Sequence, residues 1–358
     1  MDLPPFSATG IGSLPYPEPG QALDLVFRTF PALPHWPQLP GRGTREGMVY
    51  QFLTPLLETG LLVIQGDKAR FATSLSDWPQ RLTGFYTLAL AAEAGDREAL
   101  EHFTMPRAAA TGFYAFTEEL ERRGTDGLTA LKGQIAGPLT AAFFLKDERG
   151  RAAYYDDQLR DLVVRTLALA ARRQADMLSA FGRPVLLFID DPGMNVFGRS
   201  SYITVTREMI LEDFGRVAEA IRAGGAFPGL HSCDAVDWSI PFQLPLAVVS
   251  LDCYNYFSSL FPFSREIKDY LARGGLIAWG IVPTFGPGVG KENAATLASR
   301  LDEQLAALAN RGLDIVALVN QSMVTPACGT GLLSPGRAEE IYRLTASVAR
   351  MTAEAARC

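Results

Sequence analysis

Short apolar runs alternate with longer amphipathic segments along most of the chain. The short runs are rich in β-branched residues and almost continuously apolar, as expected for strands that are covered on both faces. This pattern predicts eight strands, at residues 9–14, 61–66, 129–135, 185–190, 227–233, 247–252, 276–281 and 315–320. Helical periodicity fills the intervals and is clearest over residues 151–181 and 335–357.

Strand and helix alternating eight times predict an α/β fold of the TIM (β/α)8 barrel type. No linker or low-complexity stretch divides the chain, so we predict one domain over residues 1–358. Residues 15–58 and 71–123 interrupt the rhythm, and we interpret them as N-terminal and βα-loop insertions on the catalytic face. A doubly wound open sheet is the alternative, but no glycine-rich dinucleotide fingerprint follows the first strand.

Charge and composition narrow the choice of partners. The formal net charge is -6, and no basic stripe occurs, which argues against nucleic acid as a partner. No apolar run approaches the roughly 20 residues that span a bilayer, so we expect no membrane partner. The N-terminus lacks the pattern of a secretory signal, and a cytoplasmic location is expected. The four scattered cysteines are therefore interpreted as metal ligands or core thiols rather than disulfides.

A histidine and a cysteine stand two residues apart at the end of the fifth predicted strand. Strand side chains alternate between faces, so His231 and Cys233 share one face. Imidazole and thiolate are typical zinc ligands. Asp252 ends the sixth strand and Cys328 follows the eighth, so the sequence predicts a metal site built from several strand ends. The alternative is a buried histidine beside a core thiol.

Two adjacent acids, Asp190 and Asp191, end the fourth predicted strand. Buried carboxylates require partners, so one interpretation is that Asp190 faces the barrel mouth and binds a cationic group such as a substrate ammonium. The other is that both acids cap a loop or a helix start.

Six motifs together resemble the C-terminal catalytic barrel of the cobalamin-independent methionine synthase family. They occur in the family's order and run from the first strand to the last, in a single-barrel "core" form without the family's N-terminal barrel. Uroporphyrinogen decarboxylases and corrinoid methyltransferases are broader relatives of this barrel. The six motifs are Thr9-Gly-Ile-Gly-Ser-Leu-Pro15, Gly137-Pro-Leu-Thr140, Ile189-Asp-Asp-Pro192, His231-Ser-Cys233, Val249-Ser-Leu-Asp252 and Pro326-Ala-Cys-Gly329.

The resemblance implies a zinc-dependent transfer of a methyl group to the thiol of homocysteine or a related thiol. His231, Cys233 and Cys328 match zinc ligands, and Asp252 stands where the family has a glutamate ligand. Asp190 matches the acid that holds the homocysteine amino group. Two further substrate contacts follow from the resemblance, a carboxylate contact at Ser13 and a second amino-group acid at Asp67.

Two departures concern the methyl donor. The family stacks folate on a tryptophan soon after the Gly-Pro-x-Thr motif, and this chain has Phe143 and Phe144 there. The family histidine after the seventh strand is also absent, since residues 279–284 contain none. We therefore expect a methylcorrinoid, free or protein-bound, rather than methyltetrahydrofolate. The alternatives are a uroporphyrinogen decarboxylase-like enzyme and a non-catalytic zinc- or corrinoid-binding barrel.

Overall fold

The computed structural model describes residues 3–66 and 68–357, which form an α/β fold around a parallel sheet of seven strands. The spatial order of the strands is β1-β9-β8-β7-β6-β5-β4, and a separate hairpin contains β2 and β3. The strands are β1 (Ser7–Ala8), β2 (Leu62–Gln65), β3 (Lys68–Phe71), β4 (Leu131–Ala136), β5 (Val185–Asp190), β6 (Phe227–Ser232), β7 (Val248–Leu251), β8 (Leu276–Val282) and β9 (Ser322–Pro326).

Helices connect successive strands and cover the outside of the sheet. They are α1 (Pro19–Thr29), α2 (Thr54–Glu58), α3 (Trp78–Glu93), α4 (Arg97–Glu101), α5 (Thr111–Arg123), α6 (Pro138–Phe144), α7 (Asp157–Ser179), α8 (Arg207–Ala223), α9 (Ser239–Gln243), α10 (Cys253–Tyr256), α11 (Ser264–Ala272), α12 (Ala294–Ala309), α13 (Ile315–Asn320) and α14 (Pro335–Ala355). Short 3-10 helices lie at Pro40–Arg42, Thr44–Glu46, Tyr50–Phe52, Arg107–Ala109, Ala153–Tyr155, Pro192–Val196, Ser200–Tyr202 and Phe257–Phe263.

The inner face of the sheet has an apolar core of its own, distinct from the larger core under the helices. Phe188, Val248, Ala278 and Met323 from four different strands belong to this inner core and are fully buried. A parallel sheet whose inner side chains pack on one another is curled, and this arrangement is compatible with a TIM-like barrel.

Irregular backbone lies between the two edge strands, β1 and β4. Trp36 N donates to Lys132 O on β4 at 3.2 Å, and Leu14 N, just beyond β1, donates to Gln38 O at 2.8 Å. Isolated bridges pair His35 with Lys132 and Ser13 with Gln38. Residues 35–38 therefore lie between the β4 edge and the backbone that follows β1.

Three of the eight predicted strands are not strands of the main sheet. Residues 61–66 contribute β2 to the antiparallel hairpin, outside the main sheet; the left-handed backbone of Gly66, with φ 63°, helps the chain to turn there. Residues 315–320 are the helix α13, because the Asp314 side chain accepts from Val316 N and caps a helix start. The strand follows immediately, as β9. Short apolar runs leave helix and strand ambiguous.

Residues 9–14 do not form the predicted first strand: β1 lies just before them, at Ser7–Ala8, and Gly12 beyond it adopts a φ of 151°. The other five predictions locate strands with small shifts at their ends. The two helical predictions are confirmed as α7 and α14. Asp156 starts α7 by accepting from the backbone amides of Gln158 and Leu159.

No helix within residues 3–66 and 68–357 combines the length and the apolar character needed to cross a bilayer.

A buried histidine makes the stability of the fold depend on pH. His35 is fully buried, with Nε2 2.9 Å from the Tyr342 hydroxyl and Nδ1 2.9 Å from Trp36 O. Burial lowers its pKa from 6.5 to about 3. Below pH 6.5 the unfolded chain therefore binds a proton that the native protein excludes, so stability is lost as the pH falls from 6.5 toward 3.

We expect His35→Gln to remove this dependence. Relative to wild type, the variant should lose about 2 kcal/mol less unfolding free energy between about pH 6.5 and pH 5, as measured by urea unfolding. The exposed His102→Gln variant is the matched control and should follow wild type. Identical pH profiles for His35→Gln and wild type would contradict the assignment.

Candidate metal centre and its cavity

One histidine and two cysteines converge at the carboxyl edge of the sheet. His231 lies near the end of β6, Cys233 directly follows that strand, and Cys328 lies in the loop after β9. Their ligand atoms all lie within 4.8 Å of one another. Such a set of one nitrogen and two sulfurs could hold a metal ion.

The hydrogen bonds of His231 leave one ring nitrogen free. Its Nδ1 lies 2.9 Å from Ser250 Oγ on the neighbouring strand β7, while its Nε2 is buried and has no hydrogen-bond partner among the described residues. With the proton on Nδ1, donated to Ser250, the lone pair of Nε2 is available. An oriented imidazole with an outer partner is typical of metal-ligating histidines. An orphaned buried nitrogen beside two thiols therefore fits a metal ion.

The two thiols are electrostatically unequal. A hydrogen bond from Cys328 is the main cause that lowers the pKa of Cys233, to about 4. The pKa of Cys328 is raised because it donates to the Cys233 sulfur and is buried. Cys233 is thus poised as a thiolate, the form that binds metals.

Asp252 lies outside this three-residue group. It is the N-cap of α10, where Oδ1 accepts from Asn255 N at 2.9 Å and Oδ2 accepts from Asn255 Nδ2 at 2.7 Å. Burial raises its pKa, the hydrogen bonds from Asn255 lower it, and the charge of Cys233 raises it. The carboxylate is near enough to sense the group electrostatically, but both oxygens already have partners.

The adjacent acids Asp190 and Asp191 have different environments. Asp191 accepts from Leu139 N, Thr140 N and Thr140 Oγ1 at the start of α6, so it caps this helix. Asp190 Oδ1 is buried without a hydrogen-bond partner in the described chain. Burial raises the pKa of Asp190 to about 6, and the charge of Lys132 limits the rise. The capping interpretation holds for Asp191, and Asp190 is left with one buried, unsatisfied carboxylate oxygen.

Lys132 is a buried charge that the sequence analysis missed. It is fully buried on β4, and burial lowers its pKa to about 8 while Asp190 opposes the shift. Its Nζ donates to Ile11 O at 2.5 Å and to Gln134 Oε1 at 3.2 Å. The available signal was a lysine at an inward position of a predicted strand, since Lys132 and Gln134 alternate with Leu131 and Gly133.

A cavity of about 440 Å³ opens in front of the metal-binding group. It is lined mainly by apolar side chains, and Asp190, Ser13 and the three ligand residues share it. The lining residues are Ile11, Ser13, Gln38, Pro40, Met48, Asp190, Pro192, His231, Cys233, Thr284, Phe285, Cys328, Gly329, Gly331, Leu332 and Leu333. The structure therefore brings five of the seven predicted site residues to one cavity.

The two remaining predicted residues are Asp252 and Asp67. Asp252 is buried behind the group and does not line the cavity, and Asp67 lies outside the described residues. Ser13 is held at the rim because Gly331 N donates to its Oγ at 3.2 Å.

Of the positions that depart from the family's folate pattern, Thr284 lines the cavity, whereas Phe143 and Phe144 do not. Phe143 stacks on Tyr154 with ring centroids 4.6 Å apart, and Phe144 contacts Tyr50 edge to face. Neither phenylalanine lines the cavity. Thr284 occupies the cavity wall after β8, and its buried hydroxyl has no hydrogen-bond partner within residues 3–66 and 68–357.

No protein-family model matches the chain, and no curated protein matches it. Among solved structures, the chain is similar to a B12-independent methionine synthase from Shewanella sp. W3-18-1 in complex with selenomethionine. That match has 19% identity and a TM-score of 0.47, and covers 68% of this chain and 66% of that chain, which is just under two thirds of the neighbour's length. A second similarity, to an enzyme targeting pectin rhamnogalacturonan II, has 8% identity and a TM-score of 0.28, and covers 71% of this chain and 37% of the other. At these values neither similarity assigns a function to this chain.

Proposed function

We propose that this protein is a zinc-dependent S-methyltransferase that methylates the thiol of homocysteine or a related amino thiol. The observation that carries the proposal is the orphaned Nε2 of His231 beside the sulfurs of Cys233 and Cys328, all facing one cavity. The fold that presents them is a TIM-type barrel in which residues 35–38 stand in for one strand between β1 and β4.

Three residues would hold the zinc, namely His231, Cys233 and Cys328. Three protein ligands leave a fourth position open, as in catalytic zinc sites. Zinc, when bound, favours the ionised form of a coordinated thiol, which is otherwise only a few per cent thiolate at neutral pH. Asp252 is engaged by Asn255 and is not required as a ligand in this proposal.

The other residues of the cavity would bind and orient the substrate. The unsatisfied carboxylate of Asp190 accepts hydrogen bonds from a substrate ammonium, and Ser13 lies at the rim where a substrate carboxylate would contact it. The apolar walls exclude water from the reacting sulfur. Positioning thiol and donor in this way replaces an encounter in solution by an oriented one.

Two alternatives use the same barrel differently. A uroporphyrinogen decarboxylase-like enzyme needs no thiolate metal site, so the His231, Cys233 and Cys328 group would serve no purpose. A non-catalytic zinc- or corrinoid-binding barrel would not need an unpaired Asp190 facing the cavity. One zinc per chain in the purified protein disfavours the first alternative, and turnover disfavours the second.

We expect a methylated corrinoid to be a better donor than methyltetrahydrofolate. The cavity is mainly apolar, Phe143 and Phe144 do not line it, and its wall after β8 offers Thr284 where the family has a histidine. The test measures methionine formation from homocysteine with methylcobalamin and with methyltetrahydrofolate polyglutamate. Efficient turnover with the folate alone would contradict the donor assignment, and no turnover of any amino thiol by zinc-loaded protein would contradict the proposed function.

A further inference from the structure

We propose that Lys132 is a positioning residue of the substrate cavity. Its ammonium holds the backbone at Ile11 and balances the charge of Asp190 without occupying the Asp190 oxygen that a substrate ammonium would use. This inference rests on the proposed function, because it concerns the amino-acid part of the same substrate.

The position of Lys132 is fixed by contacts on three sides. Its Nζ donates to Ile11 O at 2.5 Å and to Gln134 Oε1 at 3.2 Å, and lies 4.6 Å from the ring centroid of Phe188. Gln134 in turn donates to Trp36 O at 3.2 Å. A lysine without exposed surface that is held in this way acts as a fixed point charge rather than a mobile surface cation.

The contact with Ile11 connects Lys132 to the substrate cavity. Ile11 and Ser13 both line the cavity, and Lys132 itself lies behind them. The Gln134 side chain also fills the space beside Gly12, where an added Cβ would come within 2.6 Å of it. Lys132 and Gln134 thus contact the backbone from Ile11 to Ser13 and hold it in place.

The relation to Asp190 is electrostatic rather than a direct pairing. The two oxygens that accept from Lys132 Nζ are a carbonyl and an amide, and Asp190 Oδ1 has no hydrogen-bond partner in the part of the chain that the structure describes. Lys132 Nζ lies over the ring of Phe188, and Asp190 is the next residue of β5 on the same face as Phe188, so the two charges lie on the same interior side of the sheet. An uncompensated buried carboxylate is strongly disfavoured. Lys132 therefore offsets the charge of Asp190 while leaving the Asp190 oxygen free for a ligand.

The sum of the charges around the cavity also supports a role for Lys132 as a compensating cation. A zinc ion with two thiolates and a neutral imidazole carries no net charge, and a bound substrate thiolate adds one negative charge. Asp190 adds a second, while Lys132 and the substrate ammonium each add one positive charge. Counted without the substrate carboxylate, which would lie at the rim beside Ser13, these charges sum to zero only if Lys132 is present, and neutral assemblies are far less costly to bury than charged ones.

The test is a cycle of Lys132→Met, Asp190→Asn and the double variant, with the exposed Lys268→Met as the matched control. Calorimetry on zinc-loaded protein measures the binding of homocysteine and of a plain thiol such as 3-mercaptopropanol. We expect each single variant and the double variant to bind homocysteine about ten- to a hundredfold more weakly than wild type, with similar losses in all three. Zinc content and plain-thiol binding should stay at the wild-type level, as should everything in Lys268→Met.

Thermal unfolding without zinc supplies a readout that needs no substrate. It compares wild type, the two single variants and the double variant. Lys132→Met leaves Asp190 uncompensated, so its unfolding midpoint should fall, and adding Asp190→Asn should recover part of the loss. The double variant also covers the case in which Lys132→Met does not fold.

Additive effects on the midpoint, or Lys132→Met binding homocysteine within about threefold of wild type, would overturn the role of Lys132. Equal losses for homocysteine and the plain thiol in Lys132→Met would also overturn it, since they indicate a general structural effect. Wild-type protein that binds zinc but no amino thiol would instead contradict the proposed function, and the unfolding cycle would still decide whether Lys132 and Asp190 are coupled.

Discussion

Cys233→Ser is expected to remove stoichiometric zinc from the protein and, with it, methyl transfer. Cys233 supplies one of the two sulfurs of the group whose ligand atoms lie within 4.8 Å of one another. Serine is nearly isosteric, but its hydroxyl ionises far less readily than a thiol and is a poor ligand for zinc. The loss should exceed the roughly tenfold to hundredfold effect typical of removing an outer partner of a metal ligand.

The measurement is the zinc-to-protein ratio after dialysis, alongside the circular dichroism spectrum and the unfolding midpoint. Cys253→Ala is the matched control, because Cys253 is a buried thiol on α10 that does not belong to the metal-binding group. Wild type and the control should retain about one zinc per chain. Zinc retained by Cys233→Ser, or absent from wild type, would show that the site does not hold this metal.

Asp190→Asn is expected to weaken homocysteine binding by about ten- to a hundredfold, the range given by the loss of a charge-assisted hydrogen bond. Asp190 lines the cavity, and its Oδ1 is buried without a partner among the described residues, so a substrate ammonium would satisfy it. Zinc content should not change, because the carboxyl is not among the metal-binding residues. A thiol that lacks an amino group should bind the variant and the wild type alike.

Asp191→Asn is the matched control for this variant, because it makes the same chemical change one residue further along. Asp191 serves the start of α6, so the control should lower the unfolding free energy by about 1–3 kcal/mol and leave homocysteine affinity unchanged. If Asp190→Asn loses zinc, or impairs homocysteine and plain thiols equally, then Asp190 belongs to the metal shell or to the fold.

The local pattern of apolar and polar residues predicted those features that depend on a single segment of the chain. Continuous apolar runs located β4 through β8, because a strand covered on both faces must be apolar along its length. The two-residue spacing placed His231 and Cys233 on one face, because strand side chains alternate. The same rules failed for α13, where a capping acid outweighed a β-branched run.

The tertiary structure decided the roles of side chains whose hydrogen-bond partners are not evident from the local sequence pattern. Asp190 and Asp191 are indistinguishable in the sequence, yet one caps a helix and the other is left unsatisfied, because α6 approaches only Asp191. Asp252 looks like a ligand at a strand end, but the helix that follows turns Asn255 onto both of its oxygens.

The sequence by itself determined the strand–helix alternation and the chemistry available at the strand ends, because both follow from residue types and short-range periodicity. Only the tertiary structure decided that residues 35–38 lie between β1 and β4, that Cys328 reaches His231 and Cys233, and that Lys132 is buried beneath the loop at Ile11. These features join residues that are far apart along the chain. Their proximity is set by how the sheet curls and which side chains fill its interior, and that information is carried by packing rather than by any local pattern.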